Sequence, residues 1–410
     1  MTFLRRSFAA VLVPLLGMCV ATSPAGGANS ATTRAFSTSD ADRVVQELCG
    51  KSVAMLGESP LHGFGKTLEF KAALVPRLVE ECHYNALFIE SGTYDFLNIQ
   101  KRLKSGREVA EPMIAAAIGG LWAAREVQSL IPFLLEKAKK GSVTLGGLDD
   151  QLGRGTYAQR EMPSDLVEYL QGDEKTRCLA TLQRHTLWQY TEDSPYSPKD
   201  KARILGCLDS IETSVAQAPS STAPFRDYDV AMIDSLKRSF ARDFRDVPNG
   251  LDQRVLDVND RDRSMYLNFQ WLLAQLPAHS RVIVWAANTH VAKDLSGVSG
   301  EDGVVPFGSY VEREFKSRAF ALGFSAYSGS YAMAGQPVRQ LNVAPGDSLE
   351  AQAFAGRDSA TSYLSLKELR KFGSIPARPL GSSFKTANWG EVLDGMVTFR
   401  EEHAPDFVRR

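Results

Sequence analysis

The chain is 410 residues long and 44% hydrophobic, with 47 Lys and Arg against 48 Asp and Glu, a formal net charge of -1. That length can bury a large core as one big domain or two ordinary ones. The near-neutral balance, without a Lys/Arg block, leaves no electrostatic footprint for nucleic acid, and six scattered histidines form no His-rich metal tract.

The first segment has Arg5 and Arg6, an apolar run from Phe8 to Ala21, and then small residues that include Ala28 and Ala31. This three-part pattern predicts a secretory signal peptide over residues 1–31, and so a periplasmic or secreted protein. The apolar run is too short for a membrane span and no later segment reaches that length, so no stable membrane insertion is expected once the leader is removed. Met18 before Cys19 is a poor lipoprotein cleavage residue; an uncleaved anchor is the alternative. Removing the leader leaves Cys49, Cys82, Cys178 and Cys207. In an oxidising compartment these permit two disulfides, and nearness in sequence favours Cys49–Cys82 and Cys178–Cys207. Free buried thiols are the equal alternative, and no pair has zinc-knuckle spacing.

From residue 32 the chain alternates strand-like and helix-like patterns. "SVAMLG" (Ser52–Gly57) and "ALFIES" (Ala86–Ser91) are short apolar runs with polar ends. Between them, Leu68, Ala72, Val75, Leu78 and Val79 share one helical face, which makes a strand–helix–strand unit with parallel strands. "SVTLGGLDD" (Ser142–Asp150) follows a helix around Glu126 to Lys139, and "RVIVWAANTH" (Arg281–His290) follows a helix ending near Leu276. The charged stretch from about 155 to 275 has almost no strand signal and reads as a helical insertion or cap. The tail from Ser325 mixes loops with short strands such as Met396–Phe399. The predicted architecture is one α/β domain over 32–410, with a mainly parallel sheet flanked by helices and a large helical insertion.

Ligands of open α/β sheets bind outside the carboxyl ends of the strands. Those ends carry Glu58 and His62, then Glu90, then Asp149, then Asn288 and His290. Gly65-Lys66-Thr67 imitates the tail of a phosphate-binding loop, but the position of that motif's first glycine is Pro60, which has no N–H to offer. Lys66 and Thr67 are therefore expected at the entry of the next helix. His62, on a Gly/Pro loop after a buried strand, stands like a general base with a carboxylate near enough to orient it; a loop histidine satisfied by backbone groups is the alternative.

The ordered set of motifs resembles the erythromycin esterase-like family. Its first motif, roughly G-E-x-x-H-G, is similar to Gly57-Glu58 and His62-Gly63, followed here by Glu69-Phe70, "RLVEE" (Arg77–Glu81) and the strand-end Glu90. Trp122 with Glu126, "GGLDDQ", "RDRSMYLN" (Arg261–Asn268), "VWAANTHV", "GSYVEREF" (Gly308–Phe315) and "APGDSLEA" (Ala344–Ala351) continue the resemblance in the family's order. Two departures stand out. Ser59-Pro60-Leu61 has one residue more than the family loop, and the family arginine falls on Lys71, which keeps the charge without the bidentate fork.

The resemblance implies a hydrolase of esters or lactones, in characterised members macrolide lactones, acting through a His-activated water without an obligatory metal. Antibiotic resistance is one consequence it would carry. It makes His62 the general base, oriented by Glu58 or Glu90, with His290 and Lys71 across the site to stabilise or protonate the developing oxyanion. Trp122, Asp149 and Asn288 would face the substrate; an orienting role or a helix cap is the alternative for Asp149. A structural ion-pair network with Arg77 or Lys71 is the alternative for Glu58 and Glu90. No G-x-S-x-G elbow occurs, so direct water attack is preferred to a covalent enzyme. No cofactor is expected. A divalent metal held on the same rim, giving a metal-dependent hydrolase, is the second reading. A non-catalytic protein binding haem or another small ligand is the third, with covalent haem excluded by the lack of Cys-x-x-Cys-His. His83, His185, His279 and His403 are expected to be solvated.

Overall fold

The apolar runs that end in charged residues form the middle of one sheet. The computed structural model describes residues 38–245 and 252–408, so the expected leader over 1–31 lies outside the described residues. Strands β1 (Val53–Leu56), β2 (Ala86–Gly92), β3 (Thr144–Asp149), β4 (Val282–Trp285) and β5 (Ala319–Ala326) come first in the chain. They are followed by a small hairpin, β6 (Gly329–Tyr331) with β7 (Arg339–Leu341), then β8 (Thr361–Ser365), a second pair, β9 (Ser374–Ala377) with β10 (Lys385–Asn388), and β11 (Gly395–Phe399). The main sheet has seven strands in the order β3-β2-β4-β1-β5-β11-β8. Every pairing in it is parallel except β11 with β8 at the edge.

Both faces of the sheet are covered, which is why its strands read as unbroken apolar runs instead of alternating ones. Side chains alternate between the two cores with the period of the strand. Val53 and Met55 of β1, Phe88 of β2 and Val284 of β4 join the core under the long helices of residues 172–274. Ala54, Leu56, Leu87 and Trp285 join the other, under helices Thr38–Cys49, Gly65–Cys82 and Leu130–Lys139. The stretch expected as an insertion or cap is helical, with Gly172–Thr186, Pro198–Gln217, Arg226–Asp243 and Gln253–Ala274. It packs on the sheet directly: Asn268 Nδ2 donates to Leu148 O at 2.8 Å. The helix expected around Glu126 to Lys139 is broken at Ser129 into Arg125–Gln128 and Leu130–Lys139.

The four cysteines pair as Cys49–Cys82 and Cys178–Cys207. The first ties the C-terminal ends of helices Thr38–Cys49 and Gly65–Cys82, and the second joins Gly172–Thr186 to Pro198–Gln217 in mid-helix. Of the remaining histidines, His83 and His279 are exposed and His403 is partly covered. His185 departs from its expected solvated state: its ring packs 4.2 Å from that of Phe240 and its Nδ1 meets Tyr196 Oη. Burial there pushes it down to about 4, so it is a neutral packing element of the helical stretch.

The Gly-Lys-Thr segment opens helix Gly65–Cys82, as expected, and its anion-attracting end is already filled. Phe64 at the N-cap offers no side-chain acceptor. Instead Glu402, 335 residues further on, accepts from Thr67 N and Thr67 Oγ1 (both 2.9 Å) and from Lys66 N (3.1 Å). A carboxyl group of the chain itself, pushed up to about 8 by burial, thus occupies the place where a phosphate would dock.

Candidate active site

Glu58 leaves the end of β1 through Gly57, whose lack of a side chain is forced. A Cβ there would lie 2.0 Å from Asn288 Oδ1. The Glu58 carboxylate is buried and takes three donors. His62 Nδ1 stands 2.7 Å and Trp122 Nε1 2.6 Å from Oε1, and Lys71 Nζ stands 2.9 Å from Oε2. Burial alone would push this carboxyl up, but the Lys71 charge and the His62 bond hold it below the usual range. An ionised Glu58 fixes the His62 tautomer: Nδ1 carries the proton and donates, which leaves the Nε2 lone pair as the free basic site. Nε2 has no partner among the described residues.

The extra residue in Ser59–Leu61 does not pull His62 away. It is absorbed in a turn closed by His62 N to Ser59 O at 2.9 Å, with His62 in the left-handed region at φ 49°. Such a φ is uncommon for a side-chain-bearing residue and signals a backbone held by its surroundings. Gly63 O accepts from Ala332 N and Gly65 N donates to His403 O, so the loop is held from the C-terminal side. The Trp122 ring closes one flank, edge-on to His62 at 5.1 Å.

Lys71 is a correction to the expected layout. It does not stand across from His62. It is wholly buried beneath Glu58, with Nζ 4.2 Å from the centre of the Trp285 ring. Burial brings it down to about 8 against the pull of Glu58. It acts on the site through Glu58, and the alternative partner Arg77 instead pairs with Glu81 and Asp42 at the surface.

The ends of β2, β3 and β4 build a second cluster around a residue for which no role was expected. Arg261, on helix Gln253–Ala274, donates through Nη2 to Glu90 Oε1 (2.9 Å) and Asp149 Oδ2 (2.7 Å) and through Nε to Asp149 Oδ1 (3.2 Å). His290 stands between two carboxylates, with Nδ1 2.6 Å from Asp262 Oδ1 and Nε2 3.0 Å from Glu90 Oε1. Ala287 N secures Glu90 Oε2 and Phe307 N secures Asp262 Oδ2, each at 2.7 Å. Burial opposes a charge on His290, but Asp262 and Glu90 carry it up to about 10, so it is an imidazolium at neutral pH. Glu90, whose burial would raise it, is held well below the carboxylate range by His290, with His62 and Arg261 adding to the pull. The two clusters therefore meet electrostatically at Glu90.

Of the residues expected to face a substrate, Trp122 and Asp149 line an open cleft of about 660 Å³ together with Glu90. Asn288 does not. Its amide donates to Phe324 O and Pro379 O and accepts from Phe324 N, so every polar atom is spent on tying β4 to β5 and to the loop at Pro379. Arg261 and Asp262 were the residues to find. Asp262, Met265, Phe269 and Leu272 recur at helical spacing and are all buried, and a charged pair interrupting such a face signals a polar site beneath it.

The donor set does not suit a divalent ion. Both glutamates are already saturated by the chain's own donors, and Lys71, Arg261 and protonated His290 put positive charge where a cation would sit. Among the described residues no group of three His, Cys, Asp or Glu side chains is arranged to hold a metal.

A model of the erythromycin esterase family matches residues 79–401. The Bacillus subtilis (strain 168) protein named "Putative hydrolase YbfO" is 22% identical over 307 residues, 69% of this chain and 66% of that protein. The chain thus spans just under two thirds of the length of this curated relative. Among solved structures, a succinoglycan biosynthesis protein matches with a TM-score of 0.68 at 12% identity, covering 89% of this chain and 92% of that one. A mutant of erythromycin esterase EreC in its open conformation matches with 0.60 at 16% identity, covering 90% and 94%. At such identities the likeness speaks for the fold.

Proposed function

The chain belongs to the erythromycin esterase family, and from that membership we propose that it is a hydrolase cleaving an ester or lactone by attack of a water that His62 deprotonates. The observation that carries this reading is the Glu58–His62 pair, with Nδ1 held at 2.7 Å and Nε2 unpartnered. Water gives its proton to Nε2 while its oxygen bonds to the carbonyl carbon. The oxyanion that forms is stabilised by the cationic cluster of Arg261 and His290. Breaking the carbon–oxygen bond to the leaving group then releases an acid and an alkoxide, and the alkoxide takes up the proton held on His62. Lys71 and Trp122 keep Glu58 ionised and in place, so that the proton of His62 stays on Nδ1.

The test is a panel of esters and lactones assayed on the wild type and on His62→Ala, with metal content measured on the same preparation. The variant is expected to lose roughly 10²–10⁴-fold in kcat. Equal activity in both proteins would overturn the general-base role.

We also propose that the protein works outside the cytoplasm, supported by the pattern of residues 1–31 and by two disulfides of the kind that persist in oxidising compartments. N-terminal sequencing of the mature protein from the periplasm or medium checks this, and an intact Met1 on cytoplasmic material would overturn it.

A further inference from the structure

The cleft beside the catalytic rim is not electrostatically neutral at its mouth. Three acids line it, Glu90, Asp149 and Asp95, and all three are buried and engaged. Arg261 holds Glu90 and Asp149, while Asp95 turns to the backbone and accepts from Ala158 N at 3.3 Å. Two exposed arginines line the same cleft, Arg154 from the loop after β3 and Arg160 at the end of the short helix Tyr157–Arg160. Neither guanidinium has a carboxylate partner among the described residues. The Arg160 guanidinium lies 3.5 Å from where a Cβ of Gly155 would stand, a position at φ 73° that favours glycine. Two guanidiniums without a carboxylate partner on the lining of one cleft leave it positive charge that the three engaged acids do not neutralise.

The same mouth gathers exposed apolar surface. Leu121 lines the cleft at 44% exposure, Met333 (43%) adjoins the lining residue Ala334, and Trp188 (44%) lies under Arg154, 5.8 Å from its guanidinium. Isolated exposed apolar side chains need no explanation, but a group of them bordering one cavity marks a binding surface.

We propose that the preferred ligand of this cleft is an anionic amphiphile: an apolar body lying along Leu121 and Trp122, with a carboxylate or phosphate received by Arg154 and Arg160. That its scissile bond is an ester or lactone rests on the hydrolase reading above; the preference for negative charge rests on the arginines alone. A bulky substrate carrying an amine would meet two uncompensated like charges at the entrance and be disfavoured.

Binding and turnover are read separately. Calorimetric titration of the full chain with octanoate, octyl phosphate, octanol and octylammonium is expected to show the two anions binding about tenfold more tightly than octylammonium, the scale of two partly exposed ion pairs. Arg154→Glu/Arg160→Glu should abolish or reverse that order while leaving octanol unchanged, and Arg154→Gln/Arg160→Gln should fall between. Both positions are exposed, so unchanged thermal melting is expected and separates a charge effect from misfolding. Octylammonium binding as tightly as octanoate, no binding of any probe, or octanoate binding indifferent to the reversal would each overturn the proposal. Initial rates on the 4-nitrophenyl monoester of suberic acid and on 4-nitrophenyl octanoate complete the test. Absence of hydrolysis with the anion preference intact would sink the hydrolase reading and leave this one standing.

Discussion

On the β1 side of the rim His62 meets one carboxylate through Nδ1 and leaves Nε2 unpartnered, whereas on the β4 side His290 is gripped at both nitrogens by Asp262 and Glu90. The chemical consequence is opposite. One carboxylate orients an imidazole and leaves its other nitrogen open as a base; two carboxylates around a buried imidazole load it with a proton that it does not give up near neutrality. Residue type alone made the two histidines look interchangeable. What separates them is the count of acids within reach: Glu58 follows β1, whereas Glu90 comes from β2 and Asp262 from helix Gln253–Ala274.

The largest effect is expected from removing the cation that serves the β4 half. Arg261→Met leaves Glu90 and Asp149 buried without their shared partner, which should cost roughly 3–5 kcal/mol in urea unfolding. It should also cost about 10²–10³ in kcat if the cluster faces the oxyanion. A stable variant with full activity would mean that the two halves do not cooperate. Next comes the β1 half. Lys71→Met should destabilise by a similar roughly 3–5 kcal/mol, because Glu58 is then ionised in the core without its buried cation. Glu58→Gln combined with Lys71→Met should recover most of that stability but not the activity, since a neutral amide no longer fixes the His62 tautomer. Additive losses in the double-mutant cycle would refute the coupling.

Titration sharpens the contrast without changing any atom. His290 is raised from 6.5 to about 10 in the fold, so its contribution to stability is whole below pH 6.5 and lost as pH rises through about 10. Lys71 runs the other way: lowered from 10.5 to about 8, it makes stability rise with pH between those values. The difference in urea midpoint between the wild type and His290→Asn should therefore shrink from pH 6.5 to 10, and a gap constant across that range would contradict the double grip. The smallest change is Trp122→Phe, which removes one of three donors to Glu58 while keeping the ring beside His62. About 1.5–3 kcal/mol of stability is expected to go with that bond, and activity should fall less than in either preceding variant.

The strand ends were legible because parallel strands buried on both faces write themselves as apolar runs that stop at a polar residue. Glu58, Glu90, Asp149 and His290 could be picked out this way, and they do share one rim. β5 (Ala319–Ala326) follows the same rule, with every residue buried. It was missed because its run directly follows the amphipathic segment Gly308–Phe315, and the tail was read as beginning only at Ser325. The work done by Arg261 was not legible: nothing in one dimension says that a helix residue 112 positions past Asp149 returns its guanidinium to it. Nor was the role of Asn288, which stands at a rim position but whose amide is consumed by carbonyls from β5 and Pro379. Lys71 was placed by motif in the right neighbourhood and on the wrong side of Glu58, because helical spacing gives a face but not a depth.

The clamp of Glu402 on the first turn of helix Gly65–Cys82 has a meaning in time as well as in space. The His62 loop is made before the segments that hold it: the strands on either side of β1 are β4 and β5, and the acceptor for Lys66 and Thr67 lies 335 residues beyond Thr67. A nascent chain grows from its N-terminus and adds only about 5–20 residues each second, so the segment carrying the base waits unassembled while those later segments are made. The loop that bears His62 is made well before the segments that give it its shape.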